Sequence, residues 1–213
     1  MTTKNMFKFK IIAKDKKSGA RAGRITTAHG IIDTPSFVAV GTRATVKGLT
    51  PNELKEAGVQ VLFGNTYHLH LRPGEDMIKD FGGLGKFMAW DGPTMTDSGG
   101  FQVFSLAFGQ DKKVKKIFPN QSDKTKKLKR KNIKITEKGV YFLLDGRKRF
   151  LGPELSMKIQ EKLGADIIFA FDELTYLLDN YKYTKKSLER TNRWALQCLK
   201  TKAKSSKPEQ LLF

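Results

Sequence analysis

The sequence is poor in the residues that build disulfides and metal cages. Its 213 residues include one cysteine, Cys198, and three histidines. A single cysteine excludes an internal disulfide and a multi-cysteine zinc cage within this chain. No apolar run reaches membrane-spanning length, and Met1–Asn5 leads into no signal-like apolar segment. We therefore expect a cytoplasmic protein that has no membrane partner and no zinc ligands of its own.

Acidic residues are also scarce relative to basic ones. The chain has 21 Asp and Glu against 40 Lys and Arg, which gives a formal net charge of +19. An excess of this size indicates a polyanionic partner, and nucleic acid is favoured over membrane because no amphipathic anchor is evident. The alternative is that the charge reflects a lysine-rich proteome and has no functional meaning.

The positive charge is concentrated in one stretch. From Asp111 to Val140 there are twelve Lys or Arg against three Asp or Glu, a net of +9. Few apolar residues could anchor this stretch, so it is predicted to be a surface loop. It could add non-specific attraction to phosphates, which would make RNA affinity fall steeply with salt. It could equally be a solvated loop without function.

Outside that stretch, strands and helices alternate. The first 36 residues read as short antiparallel strands and turns. Buried-type strands are predicted at 37–40, at 59–63, in the short run that ends at Thr96, and at 166–171. Helices are predicted after the Thr50 capping box, over 74–81, over 153–163 and over 184–203. On the last of these, the predicted apolar stripe comprises Leu188, Asn192, Ala195 and Leu199.

Polar residues follow the ends of these strands. Thr42, Asn65, Asp97 and Asp172 each lie at or just after a strand end. A parallel barrel gathers such residues on the face formed by the carboxyl ends of its strands, where its active site lies. The pattern therefore predicts a barrel, although only half of the usual eight strands can be found.

The stretch around Asp97 has the composition of a pocket for a flat polar molecule. Two glycines after Ser98 allow a tight turn and a close approach of backbone to ligand. Phe101 could stack on a planar ring, and Gln102 could hydrogen-bond the edge of that ring. Taken alone, Asp-Ser-Gly-Gly is more often an ordinary turn.

Thr96–Leu106 resembles the signature of the tRNA-guanine transglycosylases, also called queuine tRNA-ribosyltransferases. The similarity extends from about Phe7 to the end of the chain and is interrupted by one insertion. Three further stretches agree with that family in the same order, and they lie within Val40–Gly48, Gly64–Gly74 and Ala170–Glu173.

The resemblance implies an enzyme that replaces guanine at the wobble position of the tRNA anticodon by a 7-deazaguanine base, in queuosine biosynthesis. It implies that Asp97 is the acid–base residue and that Asp172 binds the guanine-like edge. Gln102 and Asn65 would be supporting polar contacts, and the pocket walls would be Ser98, Gly99, Gly100 and Phe101. Without the resemblance, Asp172 would more simply be read as a helix N-cap.

The resemblance also implies a fold, the N-terminal half of a (β/α)8 TIM barrel. We divide the chain into N-terminal antiparallel strands (1–36), three barrel strands (37–106), a basic Lys-rich insertion (107–138) and a fourth strand unit with flanking helices (139–213). Leu211–Phe213 would open a fifth strand. The chain would then be a fragment, a truncated product, or one half of a two-chain protein.

Several features of the family have no counterpart in this chain. The resemblance places the nucleophilic aspartate and a zinc site of three cysteines and one histidine in the second half, and it implies that complete members are homodimers. Leu174 also stands where bacterial relatives commonly carry cysteine. We therefore predict that this chain alone does not exchange bases.

Two other functions were weighed against transglycosylation. His68 and His70, with His29 as the only other histidine, could be ligands of a metal-dependent barrel hydrolase. A non-catalytic tRNA-binding subunit, using the basic loop without chemistry, is the other alternative.

Overall fold

A computed structural model describes residues 8–109, 133–176 and 179–213. Most of the predicted basic insertion therefore lies outside the described residues. The strands are β1 (Lys8–Lys14), β2 (Arg21–Thr27), β3 (Gly30–Thr34), β4 (Ala39–Val40), β5 (Leu62–Gly64), β6 (Thr94–Thr96), β7 (Ile133–Thr136), β8 (Gly139–Leu144), β9 (Arg147–Leu151), β10 (Ile167–Ile168) and β11 (Leu211–Leu212). The helices are α1 (Pro51–Glu56), α2 (Thr66–Leu71), α3 (Glu75–Asp80), α4 (Leu84–Phe87), α5 (Gly100–Gly109), α6 (Pro153–Leu163) and α7 (Tyr181–Lys202).

These strands form one parallel and two antiparallel sheets. The parallel sheet has the order β11-β10-β6-β5-β4, and the antiparallel sheets are β1-β2-β3 and β7-β8-β9. The mixed α/β class and the N-terminal antiparallel strands are as predicted. The expected strand at Leu211 is also present, because Leu211 and Leu212 pair in parallel with Ile167 and Ile168.

Local sequence accounts for the predicted helix boundaries. Thr50 caps α1 through a capping box with Glu53, and Pro51 occupies the first helical position. Helix α6 likewise begins at Pro153 and ends at Leu163, and its C-cap is Gly164, whose φ of 74° is the left-handed conformation that glycine tolerates. Both helices therefore begin and end where their capping residues indicate.

The core lies between the parallel sheet and its helices. Ile159 and Leu163 of α6 are fully buried, and they belong to the same apolar cluster as Ile168 of β10. Leu155 is partly buried. Within the described residues, no helix is long and apolar enough to cross a membrane.

The predicted buried stripe of α7 was wrong. Leu188 and Leu199 are 61% and 55% exposed. The ring of Trp194 packs against Phe171 with 5.2 Å between ring centroids, and its Nε1 donates to the Glu137 carbonyl at 2.8 Å. The large indole therefore sets the rotation of the helix, and the buried residues are Ser187, Trp194 and Cys198.

The predicted loop over 111–140 was wrong at its C-terminal end. Ile133–Thr136 form β7, which pairs with β8, and Ile133 and Ile135 are partly buried against the core. Glu137 then accepts hydrogen bonds from Arg193 of α7 at 2.8 and 3.0 Å. Tertiary packing therefore forms a strand from residues whose charged neighbours in the sequence favour a loop.

Candidate functional site

Asp97 lies directly after β6, and three donors hold its carboxylate. The backbone N–H of Thr66 donates to Oδ1 at 2.7 Å. Asn65 Nδ2 and Gln102 Nε2 donate to Oδ2 at 2.9 and 2.7 Å. Asn65 and Thr66 follow β5, which pairs with β6 in parallel, so adjacent strand ends deliver both groups to one place. The structure thus brings three sequence-predicted site residues together, namely Asn65, Asp97 and Gln102.

Helix α5, which sequence reasoning missed, presents the next two predicted residues. It begins at Gly100, so Phe101 and Gln102 fall in its first turn. Gln102 points back to Asp97, whereas the ring of Phe101 is 60% exposed. Because it is exposed, the Phe101 ring is available to stack on a planar ligand.

Asp172 reaches the same site from the segment after β10. Ser98 Oγ donates to Asp172 Oδ1 at 3.2 Å and accepts the Gly100 N–H at 3.2 Å. A Cβ on Gly100 would lie 2.9 Å from the Asp172 carbonyl oxygen, so only glycine allows this approach. The sequence prediction that Asp97 and Asp172 share a rim is therefore matched by the geometry, with Ser98 joining them.

Asp172 as a residue is exposed at the rim, but its carboxyl group is partly surrounded by protein, and this changes its pKa. This partial burial raises the pKa of Asp172, and the nearby Asp97 carboxylate adds to the rise. The hydrogen bond from Ser98 opposes it. The N-cap role is not observed, because Asn180 caps the next helix, α7.

Gly99 makes the turn between β6 and α5 possible. Its φ is +78°, and a Cβ at this position would lie 3.1 Å from Leu151 Cδ2 and 3.3 Å from the Tyr67 backbone nitrogen. A side chain here would meet both strain and crowding. The two glycines of the motif are therefore required by the turn and by the approach to Asp172, respectively.

A buried polar network beneath the site had no signal in the local sequence. Gln160 of α6 accepts from Thr96 Oγ1 at 3.0 Å and from the Phe169 N–H at 3.0 Å. It donates to the Phe169 carbonyl and to Ser156 Oγ, and Ser156 Oγ in turn donates to the Ser98 carbonyl at 2.7 Å. The network ties the residues before Asp97 and before Asp172 to one helix.

A second cluster fixes the residue that follows Asp172. The side chain of Glu173 is fully buried, and it accepts hydrogen bonds from Arg190 and from the Tyr183 hydroxyl of α7. Its backbone N–H donates to Thr191 Oγ1 at 3.1 Å. This helix therefore anchors the chain at Glu173 and, with it, the position of Asp172.

The histidines do not converge on a metal site. His70 Nδ1 lies 2.8 Å from Glu75 Oε2, and His29 Nδ1 lies 2.8 Å from Asp166 Oδ1. His68 contacts the edge of the Tyr67 ring. In the part of the chain that the structure describes, no group of three or more His, Cys, Asp or Glu could hold a metal ion.

The chemistry available here is that of two carboxylates in different surroundings. One is held by three N–H donors, and the other is exposed and has a raised pKa. Fold and site together define an α/β protein with a pair of acidic side chains beyond the carboxyl ends of parallel strands.

Comparison with known proteins identifies the family. A family model described as queuine tRNA-ribosyltransferase matches residues 15–213, so the chain belongs to that family. Curated proteins with that name are similar to it: the one from Acetivibrio thermocellus is 51% identical over 193 residues, covering 90% of this chain and 46% of the relative. Those from Roseiflexus sp. and Enterococcus faecalis are 50% and 48% identical, covering 90% and 94% of this chain and 47% of each relative. The chain thus spans about half the length of the curated relatives it matches.

Proposed function

We propose that this chain carries the base-binding and acid–base part of a tRNA-guanine transglycosylase. The substrates would be tRNA and a guanine or 7-deazaguanine base, exchanged at the wobble position of the anticodon. The observation that supports this most directly is that Asp172 accepts a hydrogen bond from Ser98, the residue that follows Asp97, with the exposed Phe101 in the first turn of the helix that begins at Gly100.

Asp172 is suited to recognise the edge of the base. A carboxylate can accept two parallel hydrogen bonds, one from a ring N–H and one from an exocyclic amine, which is the donor pair of a guanine-type base. The Asp172 carboxyl accepts one side-chain hydrogen bond, from Ser98. Asp172 is exposed, so its other acceptor positions would be open to the base, and the exposed Phe101 would supply a surface for the ring.

Asp97 would move the proton between the departing and arriving bases. A carboxylate has about four acceptor positions, and three of those on Asp97 are occupied by Asn65, Thr66 and Gln102. The remaining position can meet a ring nitrogen of the base. The three donors would hold the carboxylate in place during that transfer.

We further propose that the parallel sheet is half of a (β/α)8 barrel, with the nucleophilic aspartate in the other half. The zinc of the family does not fit the residues present here. The one cysteine is buried, with its Sγ 3.4 Å from the Phe171 backbone nitrogen, and the described residues offer no ligand cluster. The chain alone would then bind the base without exchanging it, and the cytoplasmic location and the homodimer of complete members stay predictions.

The test has two parts. Guanine is titrated into the 213-residue chain by calorimetry, with the variants Asp172→Asn and Asp91→Asn, the latter altering an exposed aspartate at the other end of β6. We expect binding that Asp172→Asn weakens about 100-fold, from losing a charged acceptor of paired hydrogen bonds, and that Asp91→Asn leaves unchanged. Equal affinity in all three proteins would contradict the proposal.

In the second part, incubation with labelled guanine and tRNA should give no incorporation, and incorporation would contradict the inactivity of the chain.

A non-catalytic tRNA-binding subunit is the second candidate. It is favoured by the net charge of +19 and by the half-length match to the relatives. The same titration separates the two functions, because a subunit that only binds RNA has no reason to bind free guanine through Asp172.

A further inference from the structure

A cavity of about 360 Å³ lies beside the acidic site and takes no part in the proposed base binding. Arginine is over-represented in its lining. The side chains that matter to its chemistry are Arg43, Tyr67, His68, Arg72, Asp145 and Arg149.

Helix α2 links this cavity to the acidic pair. Its first residue, Thr66, donates its backbone N–H to Asp97. The next two residues, Tyr67 and His68, line the cavity, and Arg72 lines it just after the helix ends. A ligand that fills the cavity therefore lies one turn of helix from the residue proposed to move the proton.

The cavity carries uncompensated positive charge. Within the described ranges, none of the guanidinium groups of Arg43, Arg72 and Arg149 makes a salt bridge, and Asp145 is the one acidic residue that lines the cavity. Arginines that lack a carboxylate partner and converge on a concave surface are suited to bind a phosphate, whose oxygens match the guanidinium fork.

The cavity also contains a buried hydroxyl that has no partner. Tyr67 is 3% exposed, and its hydroxyl makes no hydrogen bond within the described structure. The ring is fixed by Phe142, with 5.9 Å between centroids, and Phe142 is the cross-strand partner of Arg149. Burial raises the pKa of Tyr67, the Asp145 carboxylate adds to the rise, and the Arg149 guanidinium opposes it. A buried donor without a partner is uncommon in proteins and indicates that a ligand completes its hydrogen bonding.

We propose that this cavity binds a backbone phosphate of the RNA, next to the nucleotide whose base lies at Asp97 and Asp172. Naming RNA as the source of the phosphate rests on the proposed function. The cavity is open, and Arg149 continues into the exposed basic residues Arg147 and Lys148 of β9. A polyanionic chain could run along this strand, whereas a free anion would use the cavity alone.

The first test measures the affinity of the full chain for an anticodon stem-loop RNA by fluorescence anisotropy across a salt series. Arg43→Gln and Arg149→Gln are compared with Arg21→Gln, which removes the same charge from an exposed position of β2, in a different sheet. Each cavity variant should weaken binding about tenfold and lower the salt slope by about 0.7 to 0.9, the loss of one phosphate contact. The control should change affinity less than about threefold, because it removes only distant attraction. Equal effects of all three variants would overturn the proposal.

The second test uses Tyr67→Phe, which removes the hydroxyl and keeps the ring. Because the hydroxyl has no partner in the free protein, the variant should unfold at the same denaturant concentration as the wild type or at a higher one. Its RNA affinity should fall about three- to tenfold if the hydroxyl donates to a phosphate. An unchanged RNA affinity, or a clear loss of stability in the absence of RNA, would count against the site.

Two further arms separate the possible sources of the phosphate and the two proposals. Inorganic phosphate should compete with RNA only weakly, at millimolar concentrations. If inorganic phosphate binds at micromolar concentrations and Arg43→Gln and Arg149→Gln abolish that binding, while RNA affinity is insensitive to both changes, the cavity is a free-anion site and the RNA assignment is wrong. Calorimetric binding of guanine reports on Asp172 and does not depend on the cavity. If the chain binds RNA through the cavity but does not bind guanine, the proposed function is wrong and the phosphate site is still supported.

Discussion

Asp97 and Asp172 meet at one rim, but the protein treats them differently. Asp97 is half-buried and accepts three hydrogen bonds from neighbouring side chains and backbone. Asp172 is exposed and accepts one such bond, from Ser98. The first carboxylate is therefore part of the folded structure, whereas the second is left largely available to a ligand.

The exposed carboxylate owes its position to residues behind it. The buried Glu173 and Gln160 hold the chain on either side of Asp172 through helices α7 and α6. The comparison teaches that a ligand-binding group can stay free of partners when its neighbours in the chain are fixed. The following predictions test this difference, from the largest effect to the smallest.

Replacing the anchor behind Asp172 should have the largest effect. Glu173→Ala leaves the Arg190 guanidinium without its buried partner, and breaking such a pair costs about 3–5 kcal/mol. The free energy of unfolding, measured with urea, should fall by that amount. Glu189→Ala, an exposed change on the same helix, is the control and should cost less than about 0.5 kcal/mol. A loss of less than 1 kcal/mol for Glu173→Ala would mean that α7 does not anchor this segment.

Next comes the direct comparison of the two carboxylates. In Asp97→Asn, an amide N–H₂ group would face the N–H donors that now donate to the carboxylate. This change should lower the free energy of unfolding by about 2 kcal/mol. Asp172→Asn can weaken only the one hydrogen bond that this carboxylate accepts, and it should lower the free energy of unfolding by less than about 1 kcal/mol. Chemical denaturation of both variants measures the difference. Equal losses would show that the two carboxylates are not treated differently by the fold.

A smaller effect is expected at the exposed ring. Phe101→Ala should weaken guanine binding about tenfold, since stacking of a base on an aromatic ring contributes about 1–3 kcal/mol. Its stability should change little, because the ring is 60% exposed. Calorimetry and thermal unfolding of the same variant provide the two measurements. Phe81→Ala, at an equally exposed phenylalanine that follows α3, is the matched control and should leave guanine binding unchanged.

The smallest effect is the dependence of stability on pH. The pKa of Asp172 is raised in the folded protein, so the native state binds more protons than the unfolded state between the unfolded pKa, about 3.9, and the folded pKa. The contribution of this group is thus fully present below pH 3.9 and is lost as pH rises through the folded pKa. The free energy of unfolding of the wild type minus that of Asp172→Asn should therefore fall as pH rises through that window. If this difference instead rises with pH, the pKa of Asp172 is lowered, not raised, in the folded protein.

Sequence reasoning reached the features that local patterns encode. Thr50, Pro153 and Gly164 mark helix ends through capping geometry, and strand-end polar residues pointed to Asn65, Asp97 and Asp172. These assignments depend on a few neighbouring residues at a time. Their joint placement follows from the parallel order of β5, β6 and β10.

The features that sequence reasoning missed depend on residues far apart in the chain. The face of α7 is set by the contact of Trp194 with Phe171, and β7 forms because its isoleucines reach the core. Gln160 bonds to Thr96, which is 64 residues away, and the contact leaves no periodic trace. A glutamine in an amphipathic helix looks like a solvent-facing residue until the tertiary structure buries it.

A crystal structure of the chain grown with guanine would show directly whether the two carboxylates share one ligand. We expect the ring between Asp97 and Asp172, its face on Phe101 and its N–H and amine both donating to the Asp172 carboxylate. A ring bound anywhere else, or a clear acidic rim left empty while guanine occupies another site, would contradict it.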